Sequence, residues 1–155
     1  GLALLIAGCG GSGTDSTSST SETSEGAEQE QTDEVPPEVE IGPIEEVELG
    51  PIDPDLAAEG EELFTTRCSS CHKMDERYVG PALRDVTEKR SAVYVMNMML
   101  NPDQMIKEHP TAQKLLQEFM TPMTNQNIQE ENARAILEYL RQLNEQDVEQ
   151  ETPSG

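Results

Sequence analysis

Cys68-Ser69-Ser70-Cys71-His72 is the stretch on which the reading of this chain turns. Two thiols three positions apart lie on one side of a helical turn, with an imidazole next in line. Several chemistries use such a pair. A redox-active Cys-x-x-Cys follows a strand and opens a helix within a βαβ unit. Here the pair closes a helical stretch, and no strand-like run precedes it. A structural zinc site needs two more Cys or His ligands at suitable spacing. The other cysteine is Cys9 and the other histidine is His109, both remote from the motif. A disulfide across two intervening residues would be strained and would constrain little.

The added histidine points to covalent haem attachment, for which Cys-x-x-Cys-His is the signature. Cys68 and Cys71 would add to the two vinyl groups of one porphyrin, and His72 would be held beneath the iron as its ligand. A haem fixed this way can serve as the core of a small domain. That suits a chain of 155 residues with no Trp, two Phe and three Tyr, which supports one small domain at most. The net charge is −21 and unevenly spread: residues 1–66 hold 17 acidic and no basic side chains, against 14 acidic and 10 basic in 67–155. Clustered Lys and Arg for phosphate contacts are missing, so nucleic acid is not expected as a partner.

Working outward toward the amino terminus, residues 1–8 read as the remnant of a secretory signal, too short to span a bilayer. Ile6-Ala7-Gly8-Cys9 resembles the bacterial lipobox, which implies cleavage before Cys9 and lipid on that residue, anchoring the chain to a membrane. Residues 9–38, rich in Ser, Thr and Glu, lack the apolar side chains to offset ordering entropy and read as a flexible acidic tether. Residues 39–53 carry a repeat, Val39-Glu40-Ile41-Gly42-Pro43-Ile44-Glu45 echoed by Val47-Glu48-Leu49-Gly50-Pro51-Ile52-Asp53. Apolar–acidic alternation with Gly-Pro breaks predicts an extended strap. It would bury Ile41, Ile44, Leu49 and Ile52 along the domain or in a partner's groove.

Five helices are expected between 54 and 145. Asp53-Pro54 starts the first, which runs to Cys71 with Leu56, Gly60, Leu63, Phe64 and Arg67 on one stripe. The others are 91–100, capped by Ser91, then 102–108 and 110–120, each opened by Pro, and 129–144. Residues 146–155 form a polar tail expected to fray.

Gly60, Phe64, the Cys68–His72 motif, Gly80-Pro81-x-Leu83 and the final Ala135-Ile136-Leu137-Glu138-Tyr139-Leu140 resemble, in that order, a class I cytochrome c. The resemblance spans about residues 54–143 and implies an all-α fold of about 4–5 helices around one haem c. It implies that the first and last helices cross at Gly60 and Phe64 against Tyr139. It also implies that the Pro81 carbonyl accepts from the ring of His72. Tyr94 is expected beside the cofactor. The family's sixth iron ligand is a Met in the loop before the last helix, which implies Met123 in Phe119-Met120-Thr121-Pro122-Met123-Thr124-Asn125, with Met120 second. Met-Pro is the family's usual order, whereas Pro122-Met123 stands here. His109 is a weaker candidate for that position. Met96, Met98, Met99 and Met105 sit at helical spacing and read as packing residues.

With both axial positions filled, the iron would exchange electrons and do no bond chemistry. The expected function is one-electron transfer by a lipid-anchored cytochrome on the periplasmic face of a bacterial membrane. It would act as a subunit of a quinol-oxidising complex, such as the monohaem subunit of alternative complex III, or as donor to a terminal oxidase. A gas-sensing or peroxidase-like haem protein is the alternative and requires a labile sixth ligand. The uncharged run Thr121–Asn127 suggests a partly apolar contact with the redox partner.

Overall fold

The computed structural model describes residues 41–151, of which 147–151 as helical backbone alone. The expectations for residues 1–40, including Cys9 and the tether, lie outside the described residues. Within them the chain is all-α: α1 Pro54–Arg67, α2 Val86–Lys89, α3 Ala92–Leu100, α4 Pro102–Glu108, α5 Pro110–Phe119 and α6 Glu130–Glu151. Six helices thus replace the expected 4–5. The short α2 adds a turn that carries no apolar stripe of its own and buries no residue.

Helix starts follow local chemistry. The Asp53 carboxylate accepts from the N–H groups of Asp55 and Leu56, at 3.0 and 3.2 Å, and Pro54 supplies a preset φ at the first position. Ser91 accepts from Tyr94 N–H at 3.1 Å. Asn101 closes α3 and opens α4. Thr111 N–H donates to His109 Nδ1 at 3.2 Å, so His109 caps α5.

Two boundaries differ from expectation. The first helix ends at Arg67, not at Cys71, with Cys68 as its cap. Residues 68–71 continue as turns in which Ser69 N–H reaches Phe64 O and His72 N–H reaches Cys68 O. The last helix runs on to Glu151, so part of the tail expected to fray is helical. No Gly or Pro interrupts residues 145–151, and Gln, Glu and Asp residues continue the helix.

α1 crosses α6 at Gly60, where an added Cβ would overlap the Ala135 carbonyl and lie 2.9 Å from Tyr139 Cβ. Only glycine permits this approach. Phe64 meets Tyr139 with ring centroids 5.7 Å apart and planes tilted 48°. The core continues through Ala133, Ile136, Leu137 and Leu140 of α6 and Val95, Met96 and Met99 of α3. Each large side chain fully buried here contributes about 1.5–3 kcal/mol.

Residues 41–53 lie against α3 and α6. Ile41 and Ile44 are buried, whereas Leu49, expected inside, is half exposed. The side-chain amide of Asn97 grips the Ile44 backbone from both sides: Ile44 N–H donates to Oδ1 at 3.0 Å, and Nδ2 donates to the Ile44 carbonyl at 2.8 Å. Gly42, at φ +116°, brings bare backbone against Asn97 where any side chain would collide. Further along, Arg134 donates to Glu48 O and Arg141 to Gly50 O, both at 2.9 Å. Between those arginines Glu138 is buried, pairing with Arg134 at 3.2 Å and Arg141 at 2.9 Å while accepting from Asp53 N–H at 3.0 Å.

Candidate haem site

After His72 the chain doubles back through a loop held by its own backbone. Gly80 N–H donates to Cys71 O at 2.8 Å, Leu83 N–H to Lys73 O and Arg84 N–H to Met74 O, both at 3.1 Å. An Arg84–Asp75 ion pair ties the same loop from outside. This fold-back delivers the Pro81 carbonyl to His72 Nδ1 at 3.0 Å. A carbonyl only accepts, so Nδ1 carries the proton and Nε2 keeps its lone pair. Gly80 sits under the ring, where a Cβ would lie 2.5 Å from Cε1. The imidazole is therefore fixed in tautomer and in orientation. Burial lowers the pKa of His72, against the opposing pull of the Pro81 carbonyl, which favours the neutral, ligating form.

His72 lines a cleft of about 190 Å³ with Cys68, Cys71, Pro81 and Met123. The rest of its wall is mostly apolar and comes chiefly from α5 and the loop before α6, with Met98 of α3, Ile106 of α4 and Val79 completing it. Cys71 is exposed and Cys68 half-buried. Burial, with Cys71 nearby, pushes the Cys68 thiol up to about 11, partly offset by Arg67.

Met123 follows Pro122 into this cleft, whereas Met120 caps α5 in the left-handed region at φ +54° and is 82% exposed. Met120 does not line the cleft, nor does His109, which packs edge-on against Tyr94 at 4.8 Å. Tyr94, expected beside the cofactor, does not line the cleft either. It lies one turn before Met98, with its hydroxyl buried and, among the described residues, without a partner. Burial, moderated by Arg90, pushes that hydroxyl up to about 12.

The residues present fit a haem c. Two thiols and a neutral imidazole with Nε2 left for a ligand bond line an apolar slot, a thioether lines the same slot, and the glycine under the imidazole leaves room for the ring that a side chain would take. Sequence reasoning missed the individual wall residues of α5, and Asn97 and Glu138 on the opposite face. The signal for the latter two was a polar residue inside an otherwise apolar helical run.

The family profile described as Cytochrome c matches residues 57–144. The chain belongs to the cytochrome c family, whose members are small electron carriers with covalently attached haem c, and haem c is its cofactor. Among solved structures it is similar to cytochrome c from Rhodothermus marinus, with 57% identity and a TM-score of 0.67, covering 68% of this chain and 91% of that one. An engineered cytochrome c from the same organism, solved with a carbene intermediate bound, is 55% identical with a TM-score of 0.63, over 67% of this chain and 91% of that one. Among curated proteins, cytochrome c-551 of Stutzerimonas stutzeri is 46% identical over 41 residues, which are 26% of this chain. The chain spans 39% of that relative's length.

Proposed function

We propose that this chain is a one-electron carrier in which Cys68 and Cys71 hold the haem by thioether bonds and His72 and Met123 ligate the iron. The observation that carries this reading is the shared cleft. His72, fixed by Pro81, and Met123 line one apolar slot beside the two cysteines. When bound, the haem supplies a metal that changes charge by one without making or breaking substrate bonds. The protein's part is to hold Nε2 toward the metal, keep the slot dry and offer a neutral sulfur from the other wall.

Lipid on Cys9 would tether the carrier to the outer face of a bacterial cytoplasmic membrane through residues 9–38, and the redox partner would be a quinol-oxidising complex or a terminal oxidase. The lipobox-like Ile6-Ala7-Gly8-Cys9 supports the anchor. The uncharged Thr121–Asn127 loop at the cleft supports a partner contact of low charge.

The oxidised protein's visible spectrum tests the ligand set. The weak red-edge band of thioether sulfur on ferric haem iron is expected in wild type and in Met120→Leu, and shifted or lost in Met123→Leu. Its absence from wild type would sink the assignment. For the anchor, Cys9→Ala in the full precursor should release the protein from the membrane fraction.

A further inference from the structure

Seven methionines occupy this chain, and their placements are not alike. Met96, Met99 and Met105 are buried at 3, 7 and 1% exposure, Met74 packs against the core, and Met120 stands in solvent. Met98 and Met123 line the cleft with His72.

Those two thioethers come from unlike supports. Met98 sits in α3, a helix capped at both ends, and its neighbours Asn97 and Met99 are buried. Its backbone is held by the same helix that the Asn97 amide ties to Ile44. Met123 belongs to the non-helical stretch between α5 and α6. That stretch is bracketed by two non-glycine residues in the left-handed region, Met120 at φ +54° and Asn127 at φ +53°. Side-chain hydrogen bonds there join its own members, Gln126 to Thr124 and Asn127 to Asn125. Left-handed backbone in a non-glycine residue costs on the order of 1 kcal/mol, and local opening draws on such weakly tied segments first.

We propose that Met98 is a reserve axial ligand: when the Met123 loop moves away, the Met98 sulfur takes its place on the iron. The inference rests on the reading of the cleft as a haem site with Met123 as the resident ligand. Methionine suits the role because it is unbranched, with three rotatable bonds and a polarizable sulfur. It swings on a fixed backbone without repacking a helix. The exchange is balanced: one sulfur–iron dative bond breaks, another forms, and no proton or electron is transferred. Both sulfurs are neutral at every pH, so the carrier would keep a thioether-ligated metal, and so its function, through excursions of the loop that its redox partner contacts.

Four haem-loaded proteins test this: wild type, Met98→Leu, Met123→Leu and the double variant, each leucine being close to volume-conserving. The readouts are the thioether band of the oxidised form and the rate of CO binding to the reduced form. Wild type and Met98→Leu should share one band. Met123→Leu should keep a thioether band, displaced, and bind CO at least tenfold more slowly than the double variant, which should have no band. A Met123→Leu protein indistinguishable from the double variant would overturn the proposal. So would a non-thioether ligand in Met123→Leu that Met98→Leu leaves in place. Loss of the band in Met98→Leu alone would overturn the assignment of Met123 itself. Should a variant not fold, methyl-labelled methionine in wild type serves. On warming short of unfolding, a second haem-shifted methyl signal, assigned to Met98 through Met98→Leu, should grow as that of Met123 fades. Fading with no second signal refutes the proposal.

Discussion

The two faces of α3 are built from opposite materials. On one, Met98 looks into a cleft whose wall is mostly apolar and where the fixing of His72 rests on a single hydrogen bond from its ring to Pro81. On the other, Asn97 holds Ile44 by a buried amide, and beside it Arg134, Glu138 and Arg141 of α6 hold Glu48, Asp53 and Gly50 by their backbone groups. A haem site must be dry, and of the side chains proposed to hold the group here only Met123 comes from outside the motif. The strap face needs no dryness but must hold an extended segment that has no helix or sheet of its own to satisfy its backbone. The contrast teaches that the domain keeps an apolar slot on one side and polar clamps on the other.

The comparison breaks most readily at Glu138. Glu138→Ala leaves two arginines and the Asp53 N–H without their shared acceptor, and removing one partner of a buried ion pair costs about 3–5 kcal/mol. Denaturant unfolding of the haem-loaded protein should show a loss of this size, with the visible spectrum of the folded protein unchanged. A changed spectrum would mean the two faces are not separate. Asn97→Ala strands two backbone groups of Ile44 and should cost about 1–3 kcal/mol. Limited proteolysis should then cut residues 41–53 at least several-fold faster while the cleft stays protected.

The smallest effect concerns pH. Burial, with Arg90 nearby, lowers the pKa of His109 below its ordinary 6.5. The unfolded chain then binds a proton before the folded one does. Stability is full above about pH 6.5 and is lost as pH falls below it, toward the depressed folded value. His109→Asn keeps a capping side chain and should flatten that part of the acid limb, by at most one proton in the slope of stability against pH. An unchanged slope would mean that His109 does not contribute to the acid limb.

The cleft side was legible because its chemistry is local. Cys68 to His72 are contiguous, Pro81 is nine residues on, and Met123 stands in the loop that precedes a recognisable last helix. The helix caps Asp53 and Ser91 were readable for the same reason. The strap side was not, because its bonds join residues 53, 85, 86 and 91 positions apart. Composition shows Asn97 and Glu138 as breaks in apolar runs but not what they meet. Leu49 was expected inside since it echoes Ile41 in the repeat. The structure buries only the first copy, where Gly42 turns into Asn97, and holds the second by its carbonyls. The end of α1 was placed too far along because the motif's turns keep helical spacing without a helical ladder.

The closure of the metal on both faces is tested most directly by exposing reduced wild-type protein to CO at neutral pH. Two thioethers lining the slot predict that the spectrum stays unchanged, while the Met98→Leu/Met123→Leu protein binds the gas at once. Prompt binding by wild type would mean that the face opposite His72 is open, and that carrying electrons is not what the cleft is built for.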